Sequence, residues 1–371
     1  MTDHTTGDSA RRRPAGGGRR RRGTAGQDKP ATIRDVAARA GVSVATVSRT
    51  LAGNYPVSET TRARVTAAVE ALHYVVNVHA KALSGGVPGP VALVLHDITG
   101  PSLAHVAAGV EQEAAMRGRL SLVCATHGDP ARENDLVQLM REQHAAAVVL
   151  VGGAEVDDAY HERMAGYAHG LASAGSRLVL VGRPPLPSDA PATVIEYDNR
   201  GGAFQAAAHL LAAGHRRVLF LGGETRFATA QQRRTGHLDA LRAHGVPYEE
   251  ELDVPGPYTR TSGYLRTRDA LRAGLEFTAV FAGTDMVALG ALAALREAGL
   301  GVPDDVSLVG YDDVPFAADL TPALTTVRVP YEDLGRSAVR LALEREERIS
   351  GDDHVVLSTQ LVIRQSAAAR G

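Results

Sequence analysis

The sequence predicts an all-α helix-turn-helix head followed by an α/β core of two doubly wound lobes. The head is predicted by the spacing of small and apolar residues in 31–51, which reads ATIRDVAARAGVSVATVSRTL. The core is predicted by short apolar runs that alternate with helical stretches after residue 89, a pattern typical of parallel sheets covered by helices. Residues 85–89 are rich in glycine and proline, which is typical of a linker between the two parts.

Residues 31–51 have the spacing of two short helices that pack at a steep angle. Such a unit needs a small residue at the contact, a permissive residue in the turn and an apolar anchor on the second helix. Ala37, Gly41 and Val47 occupy these three places. A generic helical hairpin also contains small residues, so the spacing alone leaves that alternative open.

The helix starts of the head are predicted from local capping residues. Thr32 with Asp35 three residues later matches a capping box, and Ser43 lies where the second helix needs an N-cap. Ser58 is in place to cap a third helix with a buried face of recurring apolar residues. That face consists of Val65, Val69 and Leu72.

The formal net charge of -2 is divided unevenly along the chain. Residues 1–86 hold 14 Lys and Arg against 6 Asp and Glu, whereas residues 87–371 hold 26 against 36. A basic head on an acidic body suits a head that meets nucleic-acid phosphates while the body avoids them. The same asymmetry also fits a solvated surface without a partner. If DNA is the partner, we expect binding to weaken steeply with salt.

The first 30 residues are predicted to form a disordered basic tail. Arginines at 11–13 and 19–22 are set among Gly, Ala, Thr and Pro, so the segment offers nothing apolar to bury. Two interpretations stay open: an electrostatic arm that adds nonspecific DNA affinity, and a solvated extension without a role.

The remaining composition predicts a cytoplasmic protein with no membrane partner. The sequence has no run of about 18 apolar residues, and its first arginines are not followed by the apolar core of a signal peptide. One cysteine, Cys124, allows no intramolecular disulfide and no cysteine-based zinc site, so we expect it to pack in the core.

The core is predicted to contain buried strands and intervening helices. The strands are expected at 91–95, 120–125, 147–151, 178–181, 218–221, 279–282 and 306–309. The helices expected between them include 132–143, 202–213, 231–244 and 285–298.

Enzymatic motifs are not found in the sequence. Lys29 and Lys81 are the only lysines and neither follows a glycine, so there is no Walker A phosphate loop. The zinc-helix pattern that starts at His161 lacks its second histidine, and a glycine pair at 222–223 is too little for a dinucleotide site. We therefore predict a protein that is not an enzyme, with no catalytic residue, no cofactor and no metal.

With these features in place, the chain resembles the lactose repressor/galactose repressor (LacI/GalR) family of bacterial transcription regulators from about residue 31 to 363. Five blocks carry the resemblance: TIRDVAARAGVSVATVSRTL, VSETTRARVTAAVEALHYVVN, AAAHLLAAGHRRVLFLGG, TDMVALGALAALREAGLGVPDDVSLVGYDD and PALTTVRVP. The resemblance implies a helix-turn-helix head, a hinge helix and a periplasmic-binding-protein-like core whose two lobes close on a small-molecule effector.

The implied domains are a tail at 1–30, the head at 31–76, a hinge helix and linker at 77–88 and the core at 89–371. Within the core, lobe 1 is predicted at about 89–195 and 331–356, and lobe 2 at about 196–328 and 357–369.

The resemblance also implies which residues of the head contact DNA. Val44 and Ala45 match the positions that choose the operator sequence, and Arg49 matches a position that contacts bases further along. Val44 and Ala45 offer apolar contact to thymine methyl groups, while Arg49 can pair with guanine O6 and N7. Thr46, Ser48, Ser58 and Thr61 match phosphate-contacting positions, and the N-cap residues Thr32 and Ser43 complete the predicted set.

The segment 77–88 matches the hinge helix of the family. Leu83 matches the leucine that is wedged into the minor groove, and Asn77 and Ala80 are predicted to contact DNA beside it. The alternative for Leu83 is packing within the linker. Because one wedge from each of two chains requires a dyad, we expect a homodimer on a near-palindromic operator.

The resemblance places the effector between the lobes. The predicted contacts are Arg233, Tyr258, Thr284, Asp285 and Asp312. Arg233 is expected to donate to effector oxygens, Asp312 to accept from a hydroxyl and Tyr258 to form an aromatic wall. Two alternatives stay open: Arg233 could be one of a solvated arginine pair, and Asp312 could cap a turn. A sugar or related metabolite is expected, although residues 100–103 lack the aromatic pair common in relatives.

The resulting prediction is a DNA-binding regulator, most often a repressor in this family, whose effector changes the angle between the lobes and so the affinity for DNA. A solute-binding protein for transport and an enzyme that uses the cleft are the competing functions. The attached head and the lack of a signal peptide oppose the first, and the lack of a paired nucleophile and base opposes the second.

Overall fold

A computed structural model describes residues 31–52, 56–75, 89–155, 157–186, 190–344 and 354–370. The contacts divide the chain into two units, Met1–Val87 and Pro88–Gly371. The predicted tail at 1–30 and the whole predicted hinge segment at 77–88 lie outside the described residues.

The first unit contains three short helices around a small core. These are α1 (Ile33–Ala40), α2 (Val44–Ala52) and α3 (Glu59–Ala71). Ala37 and Val47 are buried at the helix contacts, and Gly41 ends α1 in the left-handed conformation with a φ of 63°. The predicted helix-turn-helix is confirmed, with each of the three residues in the place that its type suggested.

Lobe 1 of the second unit is built on a six-stranded parallel sheet. The strands are β1 (Val91–Leu95), β2 (Ser121–Ala125), β3 (Ala147–Val151), β4 (Arg177–Val181), β5 (Ala192–Tyr197) and β10 (His354–Leu357). Their order in the sheet is β10-β5-β4-β3-β1-β2. The helices of this lobe are α4 (Pro101–Met116), α5 (Pro130–Glu142), α6 (Asp158–Ser173) and α11 (Tyr331–Glu344).

Lobe 2 is built on a parallel sheet of β6 (Val218–Leu221), β7 (Ala279–Ala282) and β8 (Ser307–Val309), with the antiparallel pair β9 (Thr326–Arg328) and β11 (Gln360–Val362) beside it. Its helices are α7 (Asn199–Ala212), α8 (Ala228–Ala243), α9 (Arg260–Arg272) and α10 (Asp285–Glu297). The predicted α/β core with parallel sheets in two lobes is therefore confirmed, whereas the exact lobe boundaries stay predictions.

One predicted strand differs in its surroundings. β2 was expected to be buried, but it pairs only with β1 at the edge of the sheet, and Val123 in it is 51% exposed. An edge strand pairs with one neighbouring strand instead of two, so its apolar side chains are only partly buried. β5, β9 and β10 were not predicted, because they are short or include polar residues.

The chain passes between the lobes after β5, after β9 and after β10. The first and third of these passages lie side by side, since the Asp198 N–H donates to the Leu357 carbonyl at 3.0 Å and the Thr359 hydroxyl donates to the Asp198 carbonyl at 3.1 Å. In open parallel sheets, ligands bind beyond the carboxyl ends of the strands. The loops that follow the strands of both lobes are therefore the place to look for a site.

Candidate functional site

Helix α2 buries one side and exposes the side that carries the predicted base-reading residues. Val47 is fully buried, whereas Val44 is 41% exposed. Ala45, Ser48 and Arg49 are exposed as well. An exposed aliphatic residue at the start of this helix adds nothing to the core of the head, so it is available to a partner.

The helices α2 and α3 begin at serine caps next to threonines. The Ser43 hydroxyl accepts a hydrogen bond from the Thr46 N–H at 3.1 Å, and the Ser58 hydroxyl accepts from the Thr61 N–H at 3.3 Å. Both predicted caps are confirmed. Each helix therefore starts with backbone N–H groups and hydroxyls close together, an arrangement that suits contact with a phosphate.

Helix α1 begins at the predicted capping box. The Asp35 carboxylate accepts from the Thr32 backbone N–H at 2.8 Å and from the Thr32 hydroxyl at 2.7 Å. These hydrogen bonds lower the pKa of Asp35. Asn77, Ala80 and Leu83, the predicted hinge contacts, lie outside the described residues.

Arg233 on α8 lies in the interior, which contradicts the alternative of a solvated arginine pair. Its side chain is 3% exposed, and its guanidinium carbon lies 3.8 Å from the centre of the Tyr311 ring. Its acceptors are the Asn199 side-chain oxygen (2.9 Å from Nε), the Gly283 carbonyl, the Tyr197 hydroxyl (3.3 Å) and the Asp312 carboxylate (3.4 Å).

Asp312 connects the two lobes. Its Oδ1 accepts from the Tyr331 hydroxyl at 2.7 Å, and its Oδ2 accepts from the Ser102 hydroxyl at 3.2 Å. Tyr331 and Ser102 belong to lobe 1, whereas Asp312 follows β8 of lobe 2. Burial raises the pKa of Asp312, and the nearby Arg233 opposes this effect. The backbone φ of 117° at Asp312 is rare for a residue with a side chain, which is typical of functional loops.

Thr284 and Asp285 lie at the start of α10. The Thr284 hydroxyl caps the helix by accepting from the Val287 N–H at 3.2 Å. Asp285 is fully buried, and its oxygens accept from the Thr326 hydroxyl at 2.5 Å and from the Val314 N–H at 2.9 Å. Burial and the charge of Asp312 raise its pKa. The carboxylate of Asp285 thus already has protein donors in this conformation.

Tyr258 packs its ring against the backbone where two strands of lobe 2 end. A Cβ atom added at Gly223 or Gly283 would lie 2.5 or 2.7 Å from the ring. The ring centre is 5.6 Å from the guanidinium carbon of Arg233. The Tyr258 hydroxyl is buried and has no hydrogen-bond partner among the described residues. Because buried polar groups are normally hydrogen-bonded, we expect a water or a ligand to bind this hydroxyl.

A second contact joins the loops that follow β3 and β6. The Ala228 N–H donates to the Ala154 carbonyl at 3.2 Å, and Glu155 forms a backbone bridge with Phe227. The Arg226 guanidinium also donates to the Glu155 carboxylate. Together with the Asp312 contacts, this bridge gives the two lobes a second direct connection.

The structure adds polar residues that sequence reasoning missed. Asn199 and Tyr197 flank the crossing after β5 and bind Arg233, while Ser102 and Tyr331 bind Asp312. Asn199 and Tyr197 could have been found as polar residues at the end of an apolar strand. Ser102 and Tyr331 lie on helices that give no comparable signal.

Neither a metal cluster nor a membrane-spanning helix is found in the described ranges. No group of three or more His, Cys, Asp or Glu side chains is arranged to hold a metal ion there. None of the helices described has the length and apolar character needed to cross a membrane.

Two family models match the chain. Residues 32–77 match the bacterial regulatory proteins of the lacI family, and residues 207–367 match the periplasmic binding protein-like domain. The first match covers the head, and the second covers lobe 2 with parts of lobe 1.

Relatives match over nearly the whole chain. The transcriptional regulator DegA of Bacillus subtilis is 31% identical, with 91% of this chain and 98% of the relative covered. The regulator GalR of Escherichia coli is 34% identical, with 91% and 96% covered. The regulator CelR of Thermobifida fusca is 34% identical, with 90% and 98% covered.

Solved structures agree with these relatives. The lac repressor dimer bound to operator and the anti-inducer ONPF has a TM-score of 0.78 at 26% identity, with 92% of this chain and all of that chain covered. The CelR–cellobiose complex has a TM-score of 0.66 at 32% identity, with 91% and 100% covered. Head, core and relatives agree, and the chain belongs to the LacI/GalR family of bacterial transcriptional regulators.

Proposed function

We propose that this protein is a sequence-specific repressor that binds a near-palindromic operator as a homodimer and responds to a small-molecule effector held between its lobes. The observation that carries the DNA part is the exposed face of α2 with Val44, Ala45, Ser48 and Arg49, on a helix whose other side anchors the head. Such a capped helix with an exposed N-terminal half suits insertion into a major groove.

In this proposal some residues of the head contact bases and others contact phosphates. Val44 and Ala45 contact thymine methyl groups, and Arg49 pairs with guanine. The hydroxyl residues of the head bind phosphates and fix its register on the DNA without reading sequence. Those residues are Thr32, Ser43, Thr46, Ser48, Ser58 and Thr61.

The homodimer places two hinge segments side by side on the operator. Asn77 and Ala80 contact DNA, and Leu83 enters the minor groove and bends the duplex. The likeness to a solved lac repressor dimer on its operator supports this arrangement. We expect the dimer to work in the cytoplasm, where its DNA is.

For the effector we propose an uncharged, hydroxyl-rich molecule such as a sugar. Arg233 and Asp312 lie within one buried cluster and balance each other's charge, so an anionic ligand would find no unbalanced positive charge in that pair. Tyr258 adds a buried hydroxyl beside Arg233, and Thr284 and Asp285 follow Gly283, whose carbonyl accepts from Arg233. A cellobiose complex of the relative CelR supports the same class.

The DNA part is tested by selecting duplexes from a random library with the intact protein. We expect an inverted repeat to be enriched. Arg49→Ala should then lower discrimination between this duplex and one with a changed base by roughly 1–3 kcal/mol, measured by fluorescence anisotropy. Arg39→Ala, which removes an exposed arginine from α1, is the control and should leave the discrimination unchanged. If Arg49→Ala lowered the affinity for selected and for random DNA by the same factor, the result would contradict the role assigned to Arg49.

The effector part is tested by a thermal-shift screen of neutral sugars that starts with cellobiose, beside phosphorylated sugars and purines. A saturable rise in the melting temperature with a neutral sugar supports the proposal. A rise that occurs only with charged ligands would contradict the proposed class.

A further inference from the structure

The turn between α1 and α2 leaves two carbonyl groups that the helix itself does not satisfy. The Gly41 N–H donates to the Ala38 carbonyl at 3.3 Å, and the Val42 N–H donates to the Ala37 carbonyl at 3.1 Å. These bonds end α1 in the usual way for a helix that stops at a left-handed glycine. The carbonyls of Ala40 and Gly41 come after them and need donors from elsewhere.

Arg64 on α3 supplies those donors. Its Nη2 donates to the Gly41 carbonyl at 3.1 Å and also to the Ala40 carbonyl. A guanidinium at this place also favourably meets the negative end of the α1 dipole. One exposed side chain therefore connects the third helix to the turn that carries the second.

The contact depends on the glycine as well as on the arginine. A Cβ atom added at Gly41 would lie 2.5 Å from Arg64 Nη2, and the φ of 63° there already disfavours any other residue. The sequence therefore combines a residue that allows the turn with a residue that fixes it.

We propose that Arg64 is a positioning residue for DNA reading. By holding the turn against α3, it fixes the orientation of α2, which carries Val44 and Arg49, relative to Ser58 and Thr61 at the start of α3. Base contacts need the two helices in one fixed relative orientation, whereas the nonspecific electrostatic attraction between positive charges and DNA does not. This inference rests on the proposed function, since it concerns how well the same head reads bases.

A direct contact between Arg64 and a phosphate predicts a different result. Loss of one phosphate contact weakens binding to every duplex by the same factor. Loss of a positioning contact weakens binding to the correct sequence more than to random DNA. The ratio of the two affinities therefore distinguishes the two roles.

The test uses the full chain with Arg64→Gln and Arg64→Lys, and with Arg62→Gln as the matched control. Arg62 is also exposed on α3, and its side chain donates to no group among residues 31–52 and 56–75. Each glutamine variant removes one positive charge, so both should lose similar affinity for a random duplex. Affinities are measured by anisotropy on the duplex selected by the wild-type protein and on a random duplex.

We expect Arg64→Gln to lower the ratio of selected to random affinity by roughly tenfold and Arg62→Gln to leave it unchanged. Arg64→Lys, which still donates to one carbonyl, should restore part of the ratio. Gly41→Ala, which keeps the arginine but displaces it, should lower the ratio like Arg64→Gln. Circular dichroism of each variant checks that the head is folded.

An unchanged ratio in a folded Arg64→Gln protein, or a ratio lowered equally in Arg62→Gln, overturns the positioning role. Failure of the wild-type protein to enrich any duplex is a separate outcome, since it overturns the proposed function itself.

Discussion

The Nη2 atom of Arg233 lies 3.4 Å from Oδ1 of Asp312, and these side chains are only 3% and 6% exposed. The pair joins α8 to the loop after β8, and the Asp312 carboxylate also receives hydroxyl donors from Ser102 and Tyr331 of lobe 1. The Asp312 carboxylate therefore both balances the charge of Arg233 and connects lobe 2 to lobe 1. An effector that binds here must lie beside this pair or replace its hydroxyl donors.

The first prediction concerns the stability of this pair. Asp312→Asn leaves the guanidinium of Arg233 buried without its counterion, so we expect a loss of roughly 3–5 kcal/mol in the free energy of unfolding, measured in urea. Arg242→Gln is the control, because it breaks an ion pair whose arginine is mostly exposed, and it should change stability by less than about 1 kcal/mol. Similar small losses in both variants would show that the buried pair contributes no more to the free energy of unfolding than the exposed pair does.

The second prediction concerns the buried hydroxyl of Tyr258. No described residue binds this hydroxyl, so Tyr258→Phe should not lower the free energy of unfolding. If the hydroxyl binds the effector, the same variant should bind a sugar found in the thermal-shift screen with an affinity lower by roughly twofold to tenfold, measured by calorimetry. Tyr264→Phe, on the exposed side of α9, is the control for losing a tyrosine hydroxyl. Unchanged affinity in Tyr258→Phe would remove this residue from the site.

The third prediction concerns the bridge between the loops after β3 and β6. Arg226→Gln removes the exposed ion pairs with Glu155 and Glu224, so exchange of the Ala228 amide hydrogen should become faster, by up to about fivefold. High salt should produce the same effect in the wild-type protein and none in the variant. Arg268→Gln, which breaks an ion pair within α9, is the control. Equal exchange in all three proteins would mean that the ion pair does not hold the bridge.

The fourth prediction is a dependence of stability on pH. Burial lowers the pKa of His237 to about 3, and its ring is stacked on Phe220. The folded state keeps this ring neutral, whereas the unfolded state takes up a proton below its ordinary pKa of about 6.5. Stability should therefore fall as the pH is lowered from about 6.5 towards 3, by up to about 1.4 kcal/mol per pH unit from this residue.

His237→Phe removes the titrating group and keeps an aromatic ring beside Phe220. We expect urea unfolding of this variant to depend less on pH in that range than unfolding of the wild type. His161→Phe, at a partly exposed position on α6, is the control for removing one histidine. Parallel pH profiles for wild type and His237→Phe would show that His237 is not held neutral.

The parts of the fold that follow from local chemistry were predictable. Ser43 and Ser58 cap their helices and Gly41 adopts a positive φ because each effect involves only a few neighbouring residues. Buried strands such as β3 were predictable because a run of five apolar residues between turn signals is typical of a strand that is buried on both faces.

The parts of the fold that depend on contacts between residues far apart in the sequence were not predictable. Ser102 and Asp312 are 210 residues apart, so no spacing in the sequence indicates that they meet. Burial of Asp285 behind Thr326 depends on the crossing strands, and the exposure of Val123 depends on β2 lying at the edge of its sheet. The family resemblance indicated Arg233 and Asp312, but not which groups of the protein hold them.

The most direct test of the central claim, that paired basic heads read an inverted repeat, is titration of the intact protein onto the selected duplex at two salt concentrations. We predict one dimer per inverted repeat, at least tenfold weaker binding to a single half-site, and a loss of affinity of roughly a thousandfold or more between 50 and 200 mM salt. Equal affinity for inverted repeat, half-site and random duplex, or binding that does not respond to salt, would contradict it.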